Sequence, residues 1–575
     1  MTSLKKLALL LPFISVAHAA GNLPAQQNKQ ELDRLERQNN QFLIEEAKRT
    51  EQFLQQQRAN RAADGKSEFS EGSTVKFKID KIDILDDELF ADSPQRQAII
   101  ERYQGQQLGK AEIFALVKEL TDFYISRGYA TTLLGVEPGN IKNGVLQLRV
   151  MWGKINEVKV NGQQPTFRES TRLFTAYPFS QGNILNMQDV DQAVENLLRV
   201  SSEDSIQVEP SVMNGYSDLN LIVQPSFPLA MSAGLNNSGT QAEGWQQYYG
   251  SMAVKNVAGL NDIFNVYYSW NNLKSPGDNQ DALSLSYSLP LGYWGFDTSY
   301  YKSSYEKNIG GMFGGYYSDG NSERASLRIS RIFSRDANGK TSGWVKLEKR
   351  DNYNGIEHSE IGVSSKSYTT LSSGLTWVGA VMDGWFYGDI GVTAAAPWFG
   401  GAWSGDKDLQ GFDLNYVKYN GMASWTRALF KVGRLGGTYE LNSGFQYTPD
   451  TLVSDAKMTL GDEFTVRGYK EDSLMVDSGA WIANTLQFPF DIGLVGIYQL
   501  APYVGYDFGF AKDNCPDGAN VCDSQFMMGA SVGASLTGNY FSSSIMAAWP
   551  IKKPDSMQHN DIDNAVIHYK LELKF

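Results

Sequence analysis

The chain of 575 residues carries only 2 Cys and 4 His, which excludes a multi-cysteine zinc site, a c-type haem or a disulfide-built scaffold and leaves few candidates for histidine-dependent catalysis. Its formal charge of -13 argues against nucleic acid as the main partner. No run of about 18 apolar residues occurs beyond the extreme N-terminus, which excludes a helical membrane span but not a β-barrel, whose strands are only half apolar.

Lys5 and Lys6 precede the apolar run 7–16 (LALLLPFISV), and Ala17-His18-Ala19 puts small residues at both cleavage-determining positions. Residues 1–19 therefore read as a secretory signal peptide, too short for an anchor. Three histidines remain, His358, His559 and His568, far apart and without a ligand-spaced pair. None is given a catalytic role, and neither a metal nor a cofactor is expected. Residues 22–57 are Gln- and charge-rich, with Leu32, Leu35, Phe42, Leu43, Ala47 and Leu54 loosely at helical spacing. Such a thin apolar stripe buries little, so the helix must dock in polar surroundings or stay solvated, as in a coiled coil. Residues 58–73 (RANRAADGKSEFSEGS) have no periodicity and read as a linker.

Two similar units follow, 74–152 and 153–225, each in the order strand, helix, helix, strand, strand. In the first, 75–85 alternates as a strand and 94–103 suits a short helix. Ile113, Leu116, Val117, Leu120 and Phe123 form one face of a second helix, stopped by Arg127-Gly128, and strands fit 130–136 and 145–152. The second unit places strands at 155–160, 205–212 and 219–223, with helices at 167–174 and around Val190, Ala193, Val194, Leu197 and Leu198. This predicts a duplicated small α+β module.

From residue 228 to the end, helical periodicity gives way to alternation. Leu283-Ser284-Leu285-Ser286-Tyr287-Ser288-Leu289 alternates throughout, as do Phe264, Val266, Tyr268 and Trp270, and Ala325, Leu327 and Ile329 oppose Ser326, Arg328 and Ser330. A soluble sandwich alternates too, but aromatic strand ends and a charged second face favour a barrel with a wet interior. About sixteen segments of about 22 residues, strand plus connection, fit a mainly β, antiparallel transmembrane barrel. Its terminal strand alternates Ile567, Tyr569, Leu571, Leu573 and Phe575 with His568, Lys570, Glu572 and Lys574. That pattern resembles the strand by which bacterial outer-membrane barrels are recognised for assembly.

Moving anything large across a membrane needs free energy, so a nucleotide site is the first chemistry to test. Gly339-Lys340-Thr341 ends like a phosphate loop, but the first glycine of that motif would fall at Ser334. The stretch 336–339 (DANG) is a hairpin turn instead. Cys515 and Cys522, in a turn-rich stretch between late strands, are expected to close a small disulfide loop in an exported protein. The segment 461–479 (GDEFTVRGYKEDSLMVDSG), within a long loop at about 456–479, is too long and charged for a barrel turn.

Val466-Arg467-Gly468-Tyr469 resembles the loop motif of the POTRA-barrel superfamily, and 503–509 (YVGYDFG) resembles its barrel-wall motif, in which an inward Asp pairs with the loop Arg. The resemblance implies an Arg467–Asp507 ion pair in the lumen. Two such modules, one N-terminal helix with a linker and about sixteen strands resemble, over essentially the whole mature chain, the two-partner secretion transporters of the ShlB/FhaC/HecB/CdiB kind. Arg127-Gly128-Tyr129-Ala130-Thr131-Thr132 and Asn143-Gly144-Val145-Leu146 resemble that subfamily's first module, whereas Pro138-Gly139 departs from its frequent Pro-Gln.

The resemblance implies an outer-membrane translocator with periplasmic modules, a helix plugging the pore, and one large exoprotein partner, an adhesin, haemolysin, haem-scavenger or contact-dependent toxin, bound through its N-terminal secretion domain. Barrel-assembly machinery and periplasmic chaperones would serve biogenesis, and outer-membrane lipid would surround the barrel. No enzymatic step is required. The partner is expected to add a strand at a module edge, with 219–223 (Leu219, Leu221, Val223) and the helix from Gln188 to Arg199 forming the groove. The alternative within the superfamily is an assembly factor that inserts other barrels, usually with more modules.

Overall fold

The computed structural model describes residues 24–63, 75–138, 141–224, 227–239, 244–271, 279–311, 314–336, 338–402, 414–470, 473–494, 496–514, 524–557 and 564–575. The leader, most of the expected linker and both Cys515 and Cys522 lie outside the described residues. The first element is one continuous helix, Pro24–Ala63, about 60 Å long at ~1.5 Å per residue. It continues past the expected limit at Gln57, because RANRAA holds good helix formers and neither Gly nor Pro. The linker therefore begins later than residue 58.

In the first module the sheet sets Lys81–Leu85 parallel to Val145–Met151, with Leu133–Val136 antiparallel on the other side. Helices Pro94–Tyr103 and Lys110–Ile125 cover one face, and Leu116, Leu120, Tyr124, Leu146, Leu148 and Trp152 form the core. The expected single strand over 75–85 is broken. Phe77–Lys78 pairs with Gln107–Leu108, then Ile79 N–H donates to Gln106 O (2.9 Å) and Asp80 N–H to Gly144 O (2.7 Å), which turns the chain into the main sheet.

The second module repeats the plan with Lys154–Val160, Ser205–Pro210 and Tyr216–Ile222, under helices Phe167–Ala176 and Met187–Leu198. Thr166 and Glu169 cap the first of these helices reciprocally. The expected edge strand 219–223 is a correction: Tyr216–Ile222 is central, parallel to Lys154–Val160 and antiparallel to Ser205–Pro210. The helices packed on its face bury Leu219 and Leu221, and pairing on both sides leaves no ladder to extend. The edges are Lys154–Val160 and Ser205–Pro210.

From Leu229 onward the chain closes into sixteen long antiparallel strands. Phe490–Leu494 prolongs Ser478–Gln487 beyond Pro489, and Ser359–Glu360 is a two-residue addition. The final strand, Val566–Lys574, pairs with the first, Leu229–Asn236, so the sheet has no free edge. Leu327, Leu371, Ile390, Ile545, Leu571 and Leu573 face outward, whereas Arg324, Glu348, Thr370 and His568 are buried on the luminal side. Short turns lie beside the modules. One of them, Met382-Asp383, takes left-handed backbone at both positions, as two-residue hairpins require. Gly314–Arg335 and Gly339–Ile356 pair antiparallel as neighbours, in keeping with the hairpin expected at 336–339.

The Arg127-Gly128-Tyr129 stretch lies at the junction of the modules. Gly128 has φ +95, its carbonyl accepts from Met187 N–H (2.8 Å), and a Cβ there would lie 2.0 Å from Asn186 Oδ1. Gly128→Ala is expected to destabilise the modules by about 1–3 kcal/mol through backbone strain alone, with further loss from displacement of the Asn186 cap. Thermal unfolding of the full chain, compared with the parent, checks it.

Candidate functional site in the barrel lumen

The long helix lies inside the barrel. Near its start Asn28 Nδ2 donates to Ser322 Oγ (3.0 Å) and Lys29 Nζ to Thr459 Oγ1 (2.9 Å). Farther along, Lys48 Nζ reaches Ser424 Oγ (2.6 Å) and Thr426 Oγ1 (3.0 Å). At its end Arg58 Nη1 donates to Asp336 O (2.9 Å) in a turn facing the modules, and Arg58 Nε to Asp191 Oδ2 (2.7 Å) of the second module. The thin stripe is used mainly at its ends. Leu32 and Leu35 pack on Ala282 and Tyr301, and Leu54 joins Ile155, Val190, Val194 and Leu219 of the second module, while Phe42 and Leu43 are exposed.

The second luminal element is the long loop between Leu435–Tyr447 and Ser478–Gln487. It folds back as a hairpin, Met458–Leu460 against Leu474–Val476, whose tip carries Val466-Arg467-Gly468-Tyr469. Asp507 is fully buried on the wall strand Ile497–Lys512, and Arg467 meets it in a two-pronged contact: Nε to Oδ2 at 2.6 Å and Nη2 to Oδ1 at 2.5 Å. The Arg467 backbone N–H also donates to Oδ2 (3.0 Å). Two further guanidinium hydrogens are used on Thr485 Oγ1 (3.1 Å) and Asn484 O (2.8 Å). A buried charge pair holds position better as more of its donors are satisfied, and four of the five guanidinium N–H groups are bonded here.

Gly468 (φ +104) turns the tip against Trp549, whose backbone carbon would lie 2.5 Å from an added Cβ. Tyr469 then sits buried with its hydroxyl donating to Lys552 O (2.6 Å) and Met528 O (3.2 Å), spanning two wall strands. Three further glycines make the wall accept the loop. An added Cβ would fall 1.7 Å from Arg467 O at Gly529, 2.3 Å from Arg467 Nη2 at Gly505 and 2.8 Å from Val466 Cγ2 at Gly509. Sequence reasoning quoted Gly505 and Gly509 within the wall motif without giving them this role, and missed Gly529; for the first two a signal existed, since Gly505, Asp507 and Gly509 share one strand face and small-acid-small on a luminal face marks close approach of another chain segment.

Helix and loop also hold each other. Arg324 on the wall donates to Asp33 Oδ1 (3.2 Å) and Glu36 Oε2 (3.3 Å) of the helix and to Asp455 Oδ1 (2.9 Å) of the loop. Arg37 pairs with Asp462 and donates to Thr459 O (2.7 Å). At the module end, Arg335 links helix residue Glu51 (3.2 Å) with Gln192 (3.0 Å) and Glu195 of the second module, and Lys340 Nζ reaches Glu195 Oε1 at 2.5 Å. Burial would raise the Glu195 carboxyl, but Lys340 and Arg335 override it and hold it down at about 2.

The proposed partner groove is not assembled. Gln188 packs against the Gly128 turn, Arg199 donates to Ser288 of the barrel, and Val223 N–H donates to Asn161 Oδ1 (3.1 Å), so these residues make contacts within the chain. Tyr569, Leu571, Leu573 and Phe575 face outward along the terminal strand.

With this geometry in place, the sequence pattern described as haemolysin secretion/activation protein ShlB/FhaC/HecB matches residues 215–536, more than half of the chain. The chain belongs to that family. A ShlB-type POTRA domain matches 77–153 and a second POTRA domain 154–210. Outer membrane transporter CdiB-2 of Burkholderia pseudomallei is 30% identical over 71% of this chain and 69% of its own length. CdiB of Dickeya dadantii is 26% identical over 81% and 80%, and hemolysin transporter ShlB of Serratia marcescens 27% over 72% and 73%. The solved structure of CdiB from Escherichia coli shares the fold, with TM-score 0.84 and 24% identity over 97% of this chain and 100% of that one. The chain is accordingly an outer-membrane transporter of the two-partner secretion kind, its POTRA domains in the periplasm.

Arg467→Ala leaves Asp507 buried and unpaired and is expected to cost about 3–5 kcal/mol. Adding Asp507→Ala removes the orphaned charge, so the double variant loses less than the sum of the singles. The temperature at which the folded barrel converts to its slower-migrating unfolded form on gels reads both. Because the folded Glu195 carboxyl sits at about 2 rather than the ordinary 4.5, its contribution is full above about pH 4.5 and fades as pH falls toward 2. The difference in thermal stability between the parent and Glu195→Gln should narrow over that range.

Proposed function

We propose that the chain exports one large exoprotein through this barrel, with the helix and the Arg467 loop as two removable fillers of the resting pore. The observation that carries the reading is that both fillers are held by polar contacts. As water enters the lumen the helix can exchange these contacts for hydrogen bonds with water, so a polar helix can leave where an apolar one could not. The periplasmic modules would receive the partner's N-terminal secretion domain while it is extended. Of the two edges of the second module's sheet, Lys154–Val160 carries bridges to Ile184 and Gln163, and Ser205–Pro210 is the one where such a segment adds as a strand, with backbone hydrogen bonds for affinity and side-chain pockets for choice.

Helix exit and a shift of the Arg467 loop then open the path, and folding of the partner outside biases movement outward. No covalent step or nucleotide is called for. Adhesins, haemolysins and contact-dependent toxins are the cargo classes suited to this family. The alternating terminal strand ending at Phe575 serves recognition by the barrel-assembly machinery, and periplasmic chaperones deliver the unfolded barrel. A dedicated transporter predicts loss of one exoprotein on deletion, whereas an insertase predicts general envelope defects.

Arg467→Ala should give an inserted barrel that secretes poorly, read as partner in the medium against barrel in the outer membrane. Secretion at the parent level would remove the role given to the loop. Deleting residues 22–57 should raise ion conductance in planar bilayers severalfold. Unchanged conductance would show that the helix does not block the pore.

A further inference from the structure

The loop tip also reaches the place where the barrel closes on itself. The first and last strands pair at five positions, Asn236↔Lys570 to Ser232↔Lys574, with Met231 and Phe575 bonded reciprocally just beyond, whereas the last strand keeps eight pairs with its other neighbour, Phe541–Lys552. Beyond Asn236 a side chain replaces the ladder. Asn237 Nδ2 donates to Ile567 O (2.6 Å), its Oδ1 accepts from Tyr569 N–H (2.8 Å), and its backbone N–H donates to Tyr569 O (3.3 Å). The carboxamide stands in for a missing peptide group.

One residue farther, Ser238 Oγ donates to Glu463 Oε1 at 3.0 Å, and Glu463 Oε2 lies 3.7 Å from His568 Nδ1 on the last strand. A single carboxylate on the loop therefore touches both strands just where their backbone pairing has run out. His568 is 8% exposed, and neither ring nitrogen has a hydrogen-bond partner among the described residues. Its ring borders a cavity of about 60 Å³, room enough for water to deliver a proton.

Other charged groups face this cavity, and their contacts decide which can answer His568. From the helix, Glu31 and Arg34 pair with each other, Nε to Oε2 at 2.9 Å. From the loop, Asp462 is held by Arg37, the Lys470 ammonium lies 5.5 Å over the Trp245 ring, and the Tyr469 hydroxyl is engaged with Lys552 O. Glu463 is left as the carboxylate nearest the imidazole.

We propose that Glu463 staples the barrel seam, holding the first strand through Ser238 and, when His568 carries a proton, the last strand through an ion pair. Loop position and seam closure are then set together. Loss of the proton leaves the loop attached on one side only, and the end of the seam loosens. Glu463 and His568 are positioning residues here, and the inference needs only the barrel, not the secretion reading.

Hydrogen exchange of the full chain in lipid nanodiscs, corrected for intrinsic rates, tests it at about pH 5 and about pH 8, the lower value set well below the ordinary imidazole range because charging a buried ring costs solvation. Peptides from 229–239 and 566–575 should be about three- to fivefold better protected at the lower pH, the effect of one ion pair of ordinary strength. Peptides from the opposite wall, 367–396, should show no such change. Glu463→Gln and His568→Gln should each abolish the seam difference. A parent with no difference, or Glu463→Gln that keeps it, overturns the proposal. Should His568→Gln fail to insert, Glu463→Gln decides alone. Because nothing is secreted in this measurement, its failure leaves the transport reading untouched.

Discussion

Hydrocarbon cannot hydrogen-bond a peptide group, so a sheet that enters it must pair until its last strand meets its first. That requirement shapes the rest of this molecule. Closure through Val566–Lys574 and Leu229–Asn236 leaves one face of every strand toward lipid and the other toward an interior lined by Arg324, Glu348, Arg350 and their neighbours. An interior of that kind is compatible only with polar fillers. The helix Pro24–Ala63, poor in apolar residues yet well supplied with charge, and the charged loop around Arg467 both meet the condition.

The two fillers are attached differently. The loop is fixed to the wall by a charge pair with further hydrogen bonds to Thr485 and Asn484, by Tyr469 bridging two strands, and by glycines that let backbone approach backbone. Such a pair adds little net stability compared with an apolar contact, and its use lies in specifying one arrangement. The helix is held mostly by single hydrogen bonds and shared cations, several of them to the loop rather than the wall. Removing the helix thus disturbs Thr459 and Asp462, which precede the clamped motif by a few residues.

At the periplasmic end the second module, the helix and the barrel converge on Arg335, which touches one acid from the helix and a polar pair from the module. Leu54 adds an apolar contact to the module core. Asn261 and Gly292 in barrel turns bond directly to the module helices, through Arg172 and Asn196. A load on the module therefore has short, rigid connections to both the wall and the filler.

Much of this was legible in the chain alone. Alternation in 283–289 and 567–575 reports a half-buried strand because side-chain direction has a period of two, and the spacing of Leu116, Leu120 and Phe123 reports a helix face for the matching reason. Val466-Arg467-Gly468-Tyr469 and Asp507 could be named as a pair because both lie in recognisable motifs. What required the tertiary structure was everything set by long-range pairing. Local pattern marks 219–223 as a strand but not as a central one, since strand order depends on which distant segments arrive on either side. The fit of Gly529 beneath Arg467, the Arg335 junction and the meeting of Glu463 with Ser238 and His568 join residues from tens to hundreds of positions apart. Periodicity along one segment encodes which way a side chain points, and only closure of the barrel decides what stands opposite it.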